Sequence, residues 1–265
     1  MDSTQILGYL GALVVGLVLG LIGGGGSILT VPILVYLIGL NPVTATAYSL
    51  FVVGTTSLFG AFQNFRNKMV DIRTALVFAI PAFIAVYLTR RYLVPAIPES
   101  LFTIFDFEIT KDIFIMVFFA IVMLLASISM IKTKKSATHE SEGIKYNIPL
   151  IALEGIVVGV LTGIVGAGGG FLIIPALVLL AKLPMKLAVG TSLLIISAKS
   201  LIGFLGDIQN LAIDWSFLLI FTSISIIGIF IGVYLTKFIS GEKLKKGFGW
   251  FTLVMALYII YKELY

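Results

Sequence analysis

Gly20-Leu-Ile-Gly-Gly-Gly-Gly-Ser-Ile-Leu-Thr-Val-Pro32 and Gly163-Ile-Val-Gly-Ala-Gly-Gly-Gly-Phe-Leu-Ile-Ile-Pro175 are two versions of one stretch, set 143 residues apart. The register extends outward without a gap, laying Val15–Asp71 on Val158–Asp214 with about a third of the positions identical. Ser49 falls on Ser192, Ser57 on Ser200, Gly60 on Gly203, Asn67 on Asn210 and Asp71 on Asp214. After a short insertion, Ala85-Val-Tyr-Leu-Thr89 meets Gly232-Val-Tyr-Leu-Thr236. The chain therefore reads as a repeat over 1–131, a polar linker over 132–147 and a second repeat over 148–265.

The residues around these stretches set the solvent. Of 265 residues, 59% are hydrophobic and only 12% charged, about half the charge of a soluble domain. The apolar residues form blocks long enough to cross a bilayer as helices. They show no apolar/polar alternation, which favours helices over a barrel. Each half reads as five helical segments: roughly 6–22, 27–38, 43–63, 72–93 and 112–131, then 148–165, 170–182, 185–205, 214–237 and 244–262. The expected fold is an all-α polytopic membrane protein. The first segment lacks a basic start and a cleavage site, so it is read as a span rather than a removable signal.

Charge placement orients the segments. Arg66, Lys68, Arg73, Lys132, Lys134, Lys135, Lys145, Lys182, Lys186, Lys237, Lys243, Lys245 and Lys246 fall on one side if each half makes five direction changes. Arg90, Arg91, Lys111 and Lys262 fall on the other. By the positive-inside rule the first side is cytoplasmic, so the linker is cytoplasmic and both termini extracytoplasmic. An odd number of passes makes the two repeats inverted. Segments 27–38 and 170–182 span only about 18 Å each, which favours re-entrant hairpins, although two full crossings give the same sidedness.

The chemistry is confined by what is scarce. With no cysteine and a single histidine, His139 in the linker, thiolate metal sites, iron–sulfur clusters, haem and multi-histidine centres are excluded. No metalloprotease motif and no nucleophile–histidine pair is present. Neither an enzyme activity, a cofactor nor a nucleic-acid partner is expected. The partners are a small anion and membrane lipid, with protons as a candidate coupling ion. The oligomeric state stays open.

Candidate site residues follow from the repeat. A helix begins just after each glycine run, offering unpaired N–H groups and the positive end of its dipole, and glycine lets a ligand approach closely. Gly24, Gly25, Gly26 and Ser27 in one half, and Gly168, Gly169 and Gly170 in the other, are candidates for an anion site where inverted hairpins meet. The competing reading is close helix packing by small residues. The next segment carries a small and polar stripe at helical spacing, including Ser49 and Thr56, then Ser192 and Lys199, with Thr191 beside it. Each serine could donate to an oxyanion or back-bond to its own helix. Lys199 either snorkels outward or faces the substrate, and its alignment with Ser192 favours the second. Glu154 is a candidate for coupling or for pairing with Lys199, or a residue reaching the cytoplasmic interface. Asp71 and Asp214 read as helix caps, Gln63, Asn67, Asp207 and Asn210 as entrance residues, and Arg90 and Arg91 as span-end anchors.

Two tandem halves, each opening on G-x-x-G-x-G-G followed by a proline, resemble the TauE/SafE, or TSUP, family of membrane anion transporters. Ala188-Val-Gly-Thr-Ser-Leu193 adds to the resemblance, whereas Ala45-Thr-Ala-Tyr-Ser-Leu50 lacks the Gly-Thr pair. The resemblance covers essentially the whole chain and implies transport, often export, of sulfite, sulfoacetate or related organosulfonates. The residues themselves indicate an anion but not sulfur. A passive anion channel and a non-catalytic membrane subunit are the alternatives.

Overall fold

The computed structural model describes residues 3–24, 26–104, 107–132, 148–166, 169–179, 183–235, 238 and 241–264. Its helices follow the expected segments closely. Helix α1 (Ser3–Ile22) turns at the first glycine run into α2 (Ser27–Pro32), which continues as a π-helical turn over Ile33–Leu37. Pro32 has no N–H to give the preceding turn, and the ladder shifts to a wider bond, with Ile38 N–H donating to the Ile33 carbonyl at 3.2 Å. This returning arm runs back along α1, Gly11 packing on Ile33 and Gly8 on Ile38. Helices α3 (Pro42–Arg66) and α4 (Ile72–Leu88) follow, α4 passing through a π-helical turn (Thr89–Leu93) into α5 (Val94–Ala96).

One element was absent from the sequence reading: an antiparallel hairpin of β1 (Ser100–Ile104) and β2 (Phe107–Thr110) before α6 (Lys111–Lys132). The second half has α7 (Ile148–Val165), α8 (Gly170–Leu179), α9 (Met185–Asp207), α10 (Trp215–Leu235) and α11 (Gly241–Leu264). Residues 133–147 of the expected linker, including His139, lie outside the described residues.

Polar residues cap these helices. Asn41 Oδ1 accepts from Val43 N–H at 2.9 Å and Thr44 N–H at 3.2 Å, with Pro42 at the first helical position of α3. Asp71 Oδ1 accepts from Arg73 N–H at 3.2 Å, and Asp214 Oδ1 from Phe217 N–H at 3.0 Å. Both aspartates therefore cap their helices, as expected.

Packing couples the halves through counterpart contacts. Helix α1 lies against α10 and α7 against α4, while α3 pairs with α9 and α6 with α11. Asp71 N–H donates to Thr191 Oγ1 at 2.8 Å, and its counterpart Asp214 N–H donates to Tyr48 OH at 2.6 Å. Thr191 stands 143 residues after Tyr48 and Asp214 143 after Asp71, so the two contacts fall at matching positions of the sequence register. Helices α3 and α9 run antiparallel, with Leu50 at Gly203, Gly54 at Leu201 and Gly60 at Leu193.

The exterior is apolar. Among the described residues, Pro42–Arg66, Ile72–Ala96, Ile148–Val165, Leu187–Asp207 and Trp215–Leu235 are long and apolar enough to cross a bilayer. Ile72, Leu76, Ile80, Ile84 and Leu88 form an exposed ridge at every fourth residue of α4. Polar side chains instead turn inward, with Thr46, Ser49, Thr56, Ser57, Arg90, Thr162, Lys199 and Ser200 all buried. A hydrocarbon solvent explains this arrangement. The chain is an all-α, multi-pass membrane protein.

Candidate functional site

Both glycine runs turn by the same local bonds. Gly23 N–H donates to the Leu19 carbonyl and Gly166 N–H to the Thr162 carbonyl, each at 2.8 Å. Gly23 (φ +83°), Gly166 (φ +69°) and Gly169 (φ +69°) occupy the left-handed region, where a side chain is strained. The two tips then meet. Gly24 and Gly170 touch backbone to backbone, and a Cβ on either would overlap the other. Gly23 sits on Val189 of α9, and Gly166 on the counterpart position, Thr46 of α3. Gly26 packs on Val15 and Leu19 of α1. Gly25 and Gly168 lie outside the described residues, as does the side chain of Ser27.

Lys199 belongs to this junction. Its side chain is 0% exposed. Snorkelling is thereby ruled out: the amine donates to Thr162 Oγ1 at 2.9 Å, and a Cβ on Gly169 would lie 2.7 Å from Nζ. Thr162 in turn donates to the Val158 carbonyl at 2.7 Å, so its oxygen is oriented toward the lysine. Among the described residues no carboxylate pairs with Lys199. Glu154 is half-buried on α7, two turns before Thr162 and so about 12 Å away along the axis. The pairing of Glu154 with Lys199 that the sequence offered is not made.

The hydroxyl stripe divides by what each oxygen does. Ser49 Oγ, Thr56 Oγ1, Ser57 Oγ and Ser200 Oγ are buried without a hydrogen-bond partner among the described residues. Thr56, Ser57, Lys199 and Ser200 all fall within a turn of the α3–α9 crossing at Gly54 and Leu201. Ser192 instead back-bonds to the Val189 carbonyl at 2.8 Å, and Thr191 accepts from Asp71. Of the two matched serines, Ser49 has the unpartnered hydroxyl among the described residues and Ser192 the back-bonded one.

One pair escaped the sequence reading. Arg90 is not an exposed anchor but 0% exposed, its Nε donating to Asp207 Oδ2 at 2.7 Å. Its Nη1 donates to Thr46 Oγ1 at 3.0 Å and to the Gly163 carbonyl at 3.1 Å. Its Nη2 is buried with no partner among the described residues. The π-helical turn over Thr89–Leu93 carries Arg90 inward, and Arg91 alone stays outside, donating to Gln209 Oε1. Asp207 ends α9 as this partner rather than as an entrance residue. The available signal was that two charges, at 90 and 207, each close an apolar segment.

A cavity of about 450 Å³ opens between the C-terminal end of α3 and α10, bordered by Phe59, Phe62, Gln63, Arg66 and Phe230. Neither Gly24 nor Gly170, which touch each other, borders it. Among the described residues no group of three His, Cys, Asp or Glu side chains could hold a metal ion.

Known proteins share this chain's length and pattern. A probable membrane transporter protein of Xylella fastidiosa (strain 9a5c) is 28% identical over 254 residues, 94% of this chain and 92% of that protein. The probable membrane transporter protein YunE of Bacillus subtilis (strain 168) is 31% identical over 240 residues, 82% of each chain. No solved structure matches. The profile of the sulfite exporter TauE/SafE family matches residues 8–259, and the chain belongs to that family of membrane transporters.

Proposed function

We propose that the chain is a secondary transporter, exporting a small sulfur-containing anion such as sulfite, sulfoacetate or another organosulfonate. One observation carries the reading. Lys199 is a fully buried amine at the meeting of two glycine tips, with no carboxylate among the described residues to balance it. A buried ammonium without a counter-ion is costly in a membrane interior, and an anion arriving at the tip removes the cost. The unpartnered hydroxyls of Thr56, Ser57 and Ser200 add donors within a turn of the α3–α9 crossing beside Lys199, and that of Ser49 lies further along α3.

In this reading the two repeats are inverted, their hairpins are re-entrant, and the linker faces the cytoplasm. The Gly24–Gly170 contact leaves no room for an anion between the tips, so binding requires the hairpins to part. Rocking of one half against the other around that contact is alternating access. Glu154 remains the candidate for proton coupling.

The test is uptake into proteoliposomes of sulfite, sulfate, thiosulfate and a sulfonate, with and without a pH gradient. Saturable, gradient-driven accumulation of a sulfur oxyanion is the expected result. Flux that no gradient drives uphill assigns a channel instead.

A further inference from the structure

The second tip is flanked by two buried cations, not one. Arg90 reaches α7 at the Gly163 carbonyl and Lys199 reaches it at the Thr162 hydroxyl, on consecutive residues just before the glycine loop. Thr46, which Arg90 also holds, is the residue on which Gly166 packs. The guanidinium has five N–H donors in a fixed fork. Nε and Nη1 are used, while Nη2 is buried and without a partner among the described residues. A buried, unused guanidinium edge is unfavourable unless something accepts from it. Aromatic or apolar packing does not relieve that, whereas an oxyanion does.

The charge balance at the site is small and explicit. The buried charged side chains among the described residues are Arg90, Lys111, Lys199 and Asp207. Lys111 pairs with Glu99 at 3.7 Å beside the β-hairpin. Arg90 and protonated Lys199 against ionised Asp207 leave one net positive charge. The repeat does not reproduce this: the counterpart of Asp207 is Asn64, an uncharged side chain that donates to the Gly60 carbonyl at 2.8 Å.

We propose that the free edge of Arg90 is a second anion-binding donor at this tip, and that Arg90, Lys199 and Asp207 together select a singly charged oxyanion. This rests on the transporter reading above. A monosulfonate or hydrogensulfite neutralises the site. Sulfate leaves a negative charge uncompensated away from water, enough to disfavour it at least about tenfold.

Methanesulfonate and sulfate are suitable probes because their charges do not change near neutral pH. Wild-type protein, D207N and the double variant R90Q/D207N are compared in proteoliposomes for competition by each anion against labelled sulfite. Wild type favours methanesulfonate at least about tenfold. D207N, with one more net positive charge, shifts the ratio at least about tenfold toward sulfate. R90Q/D207N restores the net charge, keeps the monoanion preference and binds both anions at least about fivefold more weakly, for want of the guanidinium edge. The double variant also carries the test if D207N does not fold. A wild-type preference for sulfate, an unchanged ratio in D207N, or wild-type affinity in the double variant overturns the proposal. Wild-type protein that moves sulfite but ignores the charge of its competitors contradicts this proposal alone. Folded wild-type protein that moves no sulfite contradicts the transporter reading itself.

Discussion

The Lys199 amine lies over the Gly169 backbone, where a Cβ would sit 2.7 Å from Nζ and overlap the Thr162 methyl group. Gly169 also has φ +69°. Gly169→Ala therefore adds backbone strain of about 1–3 kcal/mol and pushes the amine off its place. Anion transport is expected to fall at least about tenfold, with a lowered melting temperature. Gly39→Ala is the control. Gly39 has a similar φ of +79° but open space around it, so the strain appears in the melting curve while transport persists.

Gly24→Ala tests the tip contact. Its methyl group would enter the Gly170 backbone, which has no flexible end to yield, so the hairpins cannot close as they do here. Flux should drop at least about tenfold while the protein still folds, with melting lower by only a few degrees. Gly8→Ala meets only the mobile end of Ile38 and should leave flux near wild type. Equal effects from both variants would assign the glycines to general packing.

Ser49 and Ser192 separate donation from packing. Ser49 Oγ is buried without a partner, so Ser49→Ala should be neutral or slightly stabilising, yet weaken the anion about tenfold if the hydroxyl donates to it. Ser192 already satisfies the Val189 carbonyl, and Ser192→Ala should change anion affinity less than about twofold. Melting curves and competition binding on the same preparations measure both.

Much of this arrangement was legible in the sequence because the repeat doubles every signal. The glycine runs, the caps at Asp71 and Asp214 and the helical segments depend on local chemistry that a sequence displays. The β-hairpin at Ser100–Thr110 lies where hydropathy was silent. Span-end arginines ordinarily reach water, and at Arg90 the π-helical turn and the sequence-distant Asp207 draw the side chain inward instead. Ser49 and Ser192 occupy one motif position, but which hydroxyl back-bonds is a rotamer choice that no motif encodes.

Sidedness rests on the distribution of lysines and arginines. A cysteine introduced as Ser136→Cys in the otherwise cysteine-free chain should react with an impermeant thiol reagent only from the cytoplasmic face. Labelling only from outside would reverse the orientation.

The most direct measurement is sulfite flux into proteoliposomes carrying Lys199→Met beside wild type, with melting curves to show that both are folded. Methionine keeps most of the buried volume and removes the charge. The account predicts saturable wild-type flux and at least about a hundredfold loss of transport and binding in the variant. Wild-type flux through folded Lys199→Met protein would contradict it.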